Sequence, residues 1–559
     1  MLKKNQFHDR VKSTGSFDII IILIMMFASV VFTHKYVYGV SDHAIIIPFI
    51  KSLVNPALYP NDYLIMERSN FPMNFFGLYV FLIKYYHFSL QSLFFMSYLI
   101  SIFFIFLSVF LLSMTIFEKK EVAVLSLVML VFLPISTLAA VPIYDKIFLM
   151  RTAAYPMFLF SLYFFLNKKF DLSFAFQAAG LFVHPLSAFY MQAILCVLTV
   201  LHIKEIGLKK VLTYAFLLAA AWLCWVMFAA SSSYHILNPS VGLFRADQKW
   251  VDLLKLRLQH HTFPFYRQNE FFTEAFFFLI FLISWKCKPK EEFHRAAKVI
   301  TGIVALFFIC GAVFTTLIPL TIVINLELYR SSVFLGYLMI IYFANYLFNS
   351  LVSKRLIDRL WILCLLMLLV FNDRSFVLLL FLSGAIFIYG SMEIKKPLTQ
   401  KILIGVMICF AFFFGMMRAA PSETFFSIDN AQPKQWLDMQ KWARDNTDIA
   451  DTFIVSTEMT GFRVESERTI YGDWKDGGQL FFNPSFGYKW LKRMKKLGFA
   501  MGRPLELGFA LLREQDFVNI ANKAVIPGHH VFLITHTENM PMRLPIYYKN
   551  RKFVAYLVK

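Results

Sequence analysis

Three carboxylates that flank apolar runs are the groups in this chain best placed to do chemistry: Asp42 in SDHAIIIPF, Asp145 in IYDKIFLMR and Glu327 in LELYRSS. A carboxylate at the mouth of a membrane span can take a proton from an acceptor hydroxyl or amine. It can also hold a divalent cation against a pyrophosphate. Each has a useful neighbour in sequence: His43 follows Asp42, Arg151 follows Asp145, and Arg330 follows Glu327. A guanidinium binds phosphate through two parallel N–H bonds, which makes both arginines candidate phosphate ligands. His184, in an apolar stretch just before Pro185, completes the set. Asp42 and Asp145 are read as catalytic; His43, Arg151, His184, Glu327 and Arg330 are read as substrate-binding.

Every one of these residues also has an ordinary role available. Ser41-Asp42 suits a helix N-cap, and Asp145 can pair with Lys146 in solvent. An arginine entering a span, as Arg151 does, commonly snorkels. Glu327 and Arg330 have the spacing of an intrahelical ion pair. His184 can bond a backbone carbonyl that Pro185 leaves without a donor. His260-His261 resembles a metal pair only superficially, because adjacent helical residues point in different directions.

The elements that must position these groups are membrane spans and the loops between them. The stretch Tyr38 to Pro72 is too polar to cross a bilayer and too apolar for a loose linker. Within it, IIIPFIKSL reads as a short helix lying on the membrane surface, and NPALYPND as a turn, since the residue before proline avoids helix. Apolar runs long enough for about 30 Å of hydrocarbon recur to residue 418 and amount to about thirteen spans. The run Leu172 to His202 is read as two short spans broken at His184-Pro185. The densest Lys/Arg clusters all fall on one side of this arrangement, as cytoplasmic loops require. The N-terminus carries Lys3, Lys4, Arg10 and Lys12 before Phe17 to Thr33, with no small-residue cleavage site. An uncleaved first span with a cytoplasmic N-terminus follows. Asp42, Asp145, His184, Glu327 and Arg330 are thereby left on the external side. The long loop Ser231 to Asn269, aromatic and basic together, reads as a lid.

Composition excludes much else. The chain is 58% hydrophobic and 16% charged, where a soluble domain would be about a quarter charged. The net charge of +20 comes from small basic clusters between apolar runs, so it marks loops rather than nucleic-acid binding. Six cysteines in or beside apolar runs, with no CxxC spacing, offer neither disulfides nor a zinc site. No Walker, Rossmann, HExxH or GxSxG motif is present. No motif requires a cofactor; a divalent cation, Mg or Mn, is the one that converging carboxylates would call for.

From about Ala419 the composition becomes that of a soluble domain. QPKQWLDMQKWARDN reads as an amphipathic helix, and DTFIVST and RTIYGDW as strands. PSFGYKWLKRMKKLG reads as a basic helix, NKAVIP and HHVFLIT as strands, and LPIYYKNRKFVAYLV as a hairpin. The expected architecture is a polytopic α-helical membrane domain over residues 1–418 and a small external α/β domain over 419–559.

The acid of SDH just past the first span, the following NPALYPNDYL, and WARDNTDIADTFIVST at the start of the tail resemble the GT-C superfamily. So, more narrowly, do GFRVESERTIYGDWK and KWLKRM, which resemble multispanning bacterial relatives of that superfamily. The resemblance implies a plasma-membrane glycosyltransferase in a bacterium. Its donor would be a polyprenyl-phosphate sugar and its acceptor a lipid, glycan or protein. The superfamily's first-loop acid falls on Asp42 and its second-loop acid on Asp145. The superfamily often has Asp-Glu or Asp-Asp where this chain has Asp42-His43, and GDWK is not the acceptor motif of oligosaccharyltransferases. Competing readings are a transporter or flippase of lipid-linked saccharides, a polymerase or ligase of surface polysaccharide, and an assembly protein that binds through its tail.

Overall fold

The computed structural model describes residues 15–71, 74–133, 138–139, 141–231, 244–263, 268–353, 355, 358–359, 362, 426–538 and 542–559. Within these the chain is mostly helical, with one small sheet near the C-terminus. Five helical stretches are long and apolar enough to cross a membrane: Ser16–Thr33, Leu90–Phe117, Leu208–Met227, Glu291–Leu317 and Thr321–Val352. Leu208–Met227 turns Phe216, Leu212 and Leu223 outward, as a lipid-facing helix must, because no water waits there to penalise them. At five more of the expected spans the chain forms helices too short to be counted as crossing by length: Lys120–Phe132, Met150–Leu166, Phe170–Val183, Pro185–Leu201 and Gln268–Ser284. The last three expected spans, from residue 360 to 417, lie outside the described residues except for Ile362, as does the 418/419 boundary. The count of thirteen is therefore not established.

Local sequence explains where several helices stop. Phe170–Val183 ends at His184, and Pro185 opens the next helix at its first position, where a missing N–H costs nothing. Gly77–Tyr86 closes on His87 in the left-handed conformation before Ser89 caps Leu90–Phe117. The FFGLYVFLIKYYHF stretch is thus a separate short helix and not the start of the next span. In the first loop, His43–Val54 is helical with Pro48 inside it, and Tyr59 and Asn61 turn the chain with positive φ.

The tail forms a five-stranded sheet of order β2-β1-β3-β5-β4. Its strands are β1 (Thr452–Ile454), β2 (Thr469–Ile470), β3 (Val531–His536), β4 (Ile546–Lys549) and β5 (Phe553–Leu557). β1 pairs in parallel with β2 and β3; β5 pairs antiparallel with β3 and forms the hairpin with β4. Side chains alternate between the two faces of each strand. Phe532 and Ile534 pack with Phe453 and Phe553 beneath Trp436 and Met439 of the helix Lys434–Asn446. Val531 and Leu533 face the other way and share a core with Trp490, Phe517 and Ile520. NKAVIP is not a strand: Asn522 to Ala524 end the helix Glu514–Ala524, whose apolar stripe of Phe517, Ile520 and Ala521 covers the sheet.

The tail shares part of its core with the loops. Its second core also contains Ile45, Phe49, Tyr59, Tyr63 and Leu64 of the first loop and Trp250 and Leu254 of the long loop. Tyr63 stacks on Phe486 with ring centroids 4.9 Å apart, and the Arg493 guanidinium lies 4.1 Å over the Tyr63 ring. First loop, long loop and tail therefore form one body at the end of the helices.

Candidate functional site

Asp42 stands at the N-cap position of His43–Val54, yet its side chain makes no capping bond. Its backbone carbonyl accepts from Ile45 and Ile46 instead, which starts the helix and leaves the carboxylate free to turn away. Oδ1 accepts a charge-assisted bond from Lys475 Nζ at 2.6 Å, across 433 residues of sequence. Oδ2 has no hydrogen-bond partner among the described residues, and the side chain remains 38% exposed. Burial pushes this carboxyl upward, but Lys475, Arg151 and Arg330 together hold it well below the usual carboxylate range. Asp42 is an ionised, half-open carboxylate with one oxygen to offer.

The other two carboxylates are more deeply buried, each beside an arginine. Asp145 is gripped by Arg151 in a two-bond fork, Oδ2 from Nε at 2.8 Å and Oδ1 from Nη2 at 2.7 Å. Both side chains are largely buried, and Thr152 Oγ1 lies 3.5 Å from Asp145 Oδ2. Glu327 pairs with Arg330 at 2.7 Å, the ion pair their spacing allowed. The backbone of Glu327 has φ of +39°, and Tyr190 donates its hydroxyl to the Leu326 and Glu327 carbonyls, which fixes this turn. Each arginine uses only part of its fork on its own carboxylate, and both still act electrostatically on Asp42.

The two histidines of the expected set serve the backbone. His43 is fully buried; its Nδ1 accepts from the Gly39 N–H at 3.1 Å and its Nε2 donates to the Phe148 carbonyl at 3.0 Å. Both ring nitrogens are occupied, and burial lowers the ring's pKa to about 4, so it is neutral near pH 7. Through these two bonds His43 fastens the first loop to the segment that leads to Arg151. His184 Nδ1 accepts from the Ser187 N–H at 3.2 Å, capping the helix that Pro185 begins.

Two cationic groups that the sequence did not single out, Lys475 and Arg257, also face the site, together with His261 of the pair set aside above. Lys475 arrives from the tail. Arg257, at the end of the long-loop helix Gln248–Arg257, donates to the Trp474 carbonyl at 2.9 Å and is close enough to Asp42 to feel its charge. Among the described residues His261 Nδ1 is buried without a hydrogen-bond partner, and burial together with Arg330, His260, Arg151 and Lys475 pushes its pKa well down. The His260 and His261 rings lie side by side, centroids 3.9 Å apart, in place of the divergence expected of helical neighbours. No signal in the sequence marks Lys475, because ion pairs between distant segments have no periodicity. The described part of the long loop is anchored and is not a loose lid: Trp250 Nε1 donates to the Leu480 carbonyl, and Tyr488 donates to Asp247.

The donor set does not suit a divalent cation. Among the described residues no three His, Cys, Asp or Glu side chains converge as ligands. Asp42, Asp145 and Glu327 each already hold a cationic side chain. Charge here favours an incoming anion over an incoming cation.

A family model, a domain of unknown function (DUF6798), matches residues 434–497. That segment includes Lys475 and most of the tail's junction with the first loop. No curated protein matches the chain. Among solved structures, ArnT from Cupriavidus metallidurans bound to undecaprenyl phosphate is similar at 9% identity and a TM-score of 0.48, over 98% of each chain. The apo state of the same protein is similar at 10% identity and a TM-score of 0.45, over 97% of this chain and 98% of that one.

Proposed function

We propose that the chain is a membrane glycosyltransferase that moves a sugar from a polyprenyl-phosphate donor to an acceptor at the external membrane surface. The reading rests on one observation above the others. Asp42 is the most exposed of the three candidate carboxylates, keeps one oxygen without a hydrogen-bond partner among the described residues, and lies among Lys475, Arg151 and Arg330.

In this reaction the acceptor hydroxyl or amine gives its proton to Asp42 Oδ2 as its heteroatom attacks the anomeric carbon. The bond from that carbon to the phosphate oxygen breaks, its electron pair stays on the phosphate, and configuration inverts. Arg151 and Arg330 would stabilise the departing phosphate dianion, the charge that develops as the bond breaks. Asp145 and Glu327 hold Arg151 and Arg330 in position.

The test is mass-spectrometric profiling of lipid-linked sugars and surface glycans in wild type, a deletion strain and Asp42→Asn at matched protein level. Loss of one sugar in both the deletion strain and Asp42→Asn supports the transferase and names its product. A change in the deletion alone would move the protein to the flippase or polymerase reading. No change in either would point to an assembly role for the tail.

A further inference from the structure

The segment matched by the family model touches the candidate site at one side chain, and that side chain is rigidly mounted. Lys475 sits between two fixed residues. Before it, the Trp474 ring packs on Trp490 at 5.0 Å and on Phe499 at 5.0 Å, while its carbonyl accepts from Arg257. After it, both oxygens of the Asp476 carboxylate accept from Arg463, at 2.8 and 3.1 Å. Asp473 and Asp476 close the turn reciprocally, each carboxylate accepting the other's N–H at 3.0 to 3.1 Å. Gly477 allows the turn to press against Trp490, since a Cβ there would lie 2.6 Å from the indole.

The same turn is bolted to the first loop. Arg463, 2% exposed, also donates to Asp62 at 2.7 Å, and Tyr59 donates to the Arg463 carbonyl at 2.9 Å. The Lys475 ammonium is thereby carried to Asp42 on a frame anchored at the far end of the loop that bears Asp42. A tail that merely bound a partner elsewhere would need no such frame, nor a lysine pointing into the membrane domain's candidate site.

We infer that residues 434–497 are a component of the active site and not an appended binding module, and that Lys475 is a positioning residue that presents Asp42 to the acceptor. The inference rests on the transferase reading for its catalytic part; the pairing itself does not. Lys475 orients Oδ1, leaves Oδ2 for the acceptor proton, and keeps the carboxylate ionised. The other charged or titratable groups facing Asp42 are Arg151, Arg330, Arg257, Glu327 and His43. Of these, Arg151 and Arg330 are committed to their own carboxylates and His43 to the backbone.

The experiment uses the purified full-length protein in detergent. A water-soluble carbodiimide with an amine nucleophile labels protonated carboxyls, and the peptide carrying Asp42 is followed by mass spectrometry against pH. Wild type and Lys475→Arg should resist labelling through the mildly acidic range. In Lys475→Met the labelling midpoint should rise by about one pH unit or more. Equal curves for wild type and Lys475→Met would overturn the pairing, provided both melt at the same temperature.

The second readout is product formation. Lys475→Met should lower it about tenfold or more, mostly in kcat, with its acid limb moved to higher pH, and Lys475→Arg should restore it. If Asp42→Asn abolishes product while Lys475→Met matches wild type at every pH, the positioning role fails and the transferase reading stands. If Asp42→Asn leaves product unchanged, the general-base role of Asp42 fails and the labelling curves still decide the pairing.

Discussion

The two ends of the first loop both reach into the tail with an aspartate, and they end in opposite states. Asp62 is sealed: Oδ1 accepts from the Leu64 and Ile65 N–H groups, and Oδ2 from Arg463 and the Ile470 N–H. Its side chain is 0% exposed. Asp42, twenty positions earlier by number, has one bond to one oxygen and stands 38% exposed. A carboxylate with every lone pair satisfied fixes structure and has nothing left for a substrate. A carboxylate left half satisfied beside cations carries residual proton affinity and reach. The comparison separates anchor from candidate base without appeal to any motif.

The sharpest way to break the comparison is at the sealed end. Arg463→Met leaves Asp62 and Asp476 buried without their cation, a change that typically costs about 3–5 kcal/mol. The expected outcome is loss of folded protein in membranes, measured by fluorescence-detected size exclusion.

At the open end the loss should appear in activity and not in folding. Asp42→Asn should leave the melting temperature near wild type and reduce product formation by about 10²–10⁴-fold, the range for a general base. A large drop in melting temperature would show that Asp42 is an anchor like Asp62.

Between the two ends, His43 should give a smaller effect that depends on pH. Its pKa is lowered on folding from the ordinary 6.5 to about 4. The folded state therefore resists protonation that the unfolded chain accepts. The stability this group provides is complete above pH 6.5 and falls as pH drops toward 4. Thermal melts between pH 7 and 5 should show the wild type losing stability, and His43→Gln should flatten that slope.

The smallest effect is expected at the loop's outer ion pair. Lys51 donates to Glu467 at 2.8 Å and to the Val464 carbonyl at 2.7 Å, with both charged side chains partly in solvent. Lys51→Ala should cost about 1 kcal/mol or less in the melt and leave product formation unchanged.

Local patterns were legible in the sequence. The short helix through IIIPFIKSL, the turn at NPALYPND, the break at His184-Pro185 and the hairpin at Lys549-Asn550 all appear. Each depends on residues within a few positions of one another, through proline, glycine-like turns or period-two alternation. NKAVIP misled because its last residues favour a strand, while its first three finish a helix whose apolar stripe begins at Phe517.

By itself, then, the sequence determined which runs are apolar enough for lipid, which segments are helix or strand, and which carboxylates lie beside spans. Hydropathy and capping act over short distances, so they are written in neighbouring residues. Only the tertiary structure decided which carboxylate stays open. Asp145 and Glu327 found arginines within six residues, whereas Asp42 is met by a lysine 433 positions away. Coulomb attraction and desolvation depend on distance in space, and that distance does not exist until the tail has docked on the first loop.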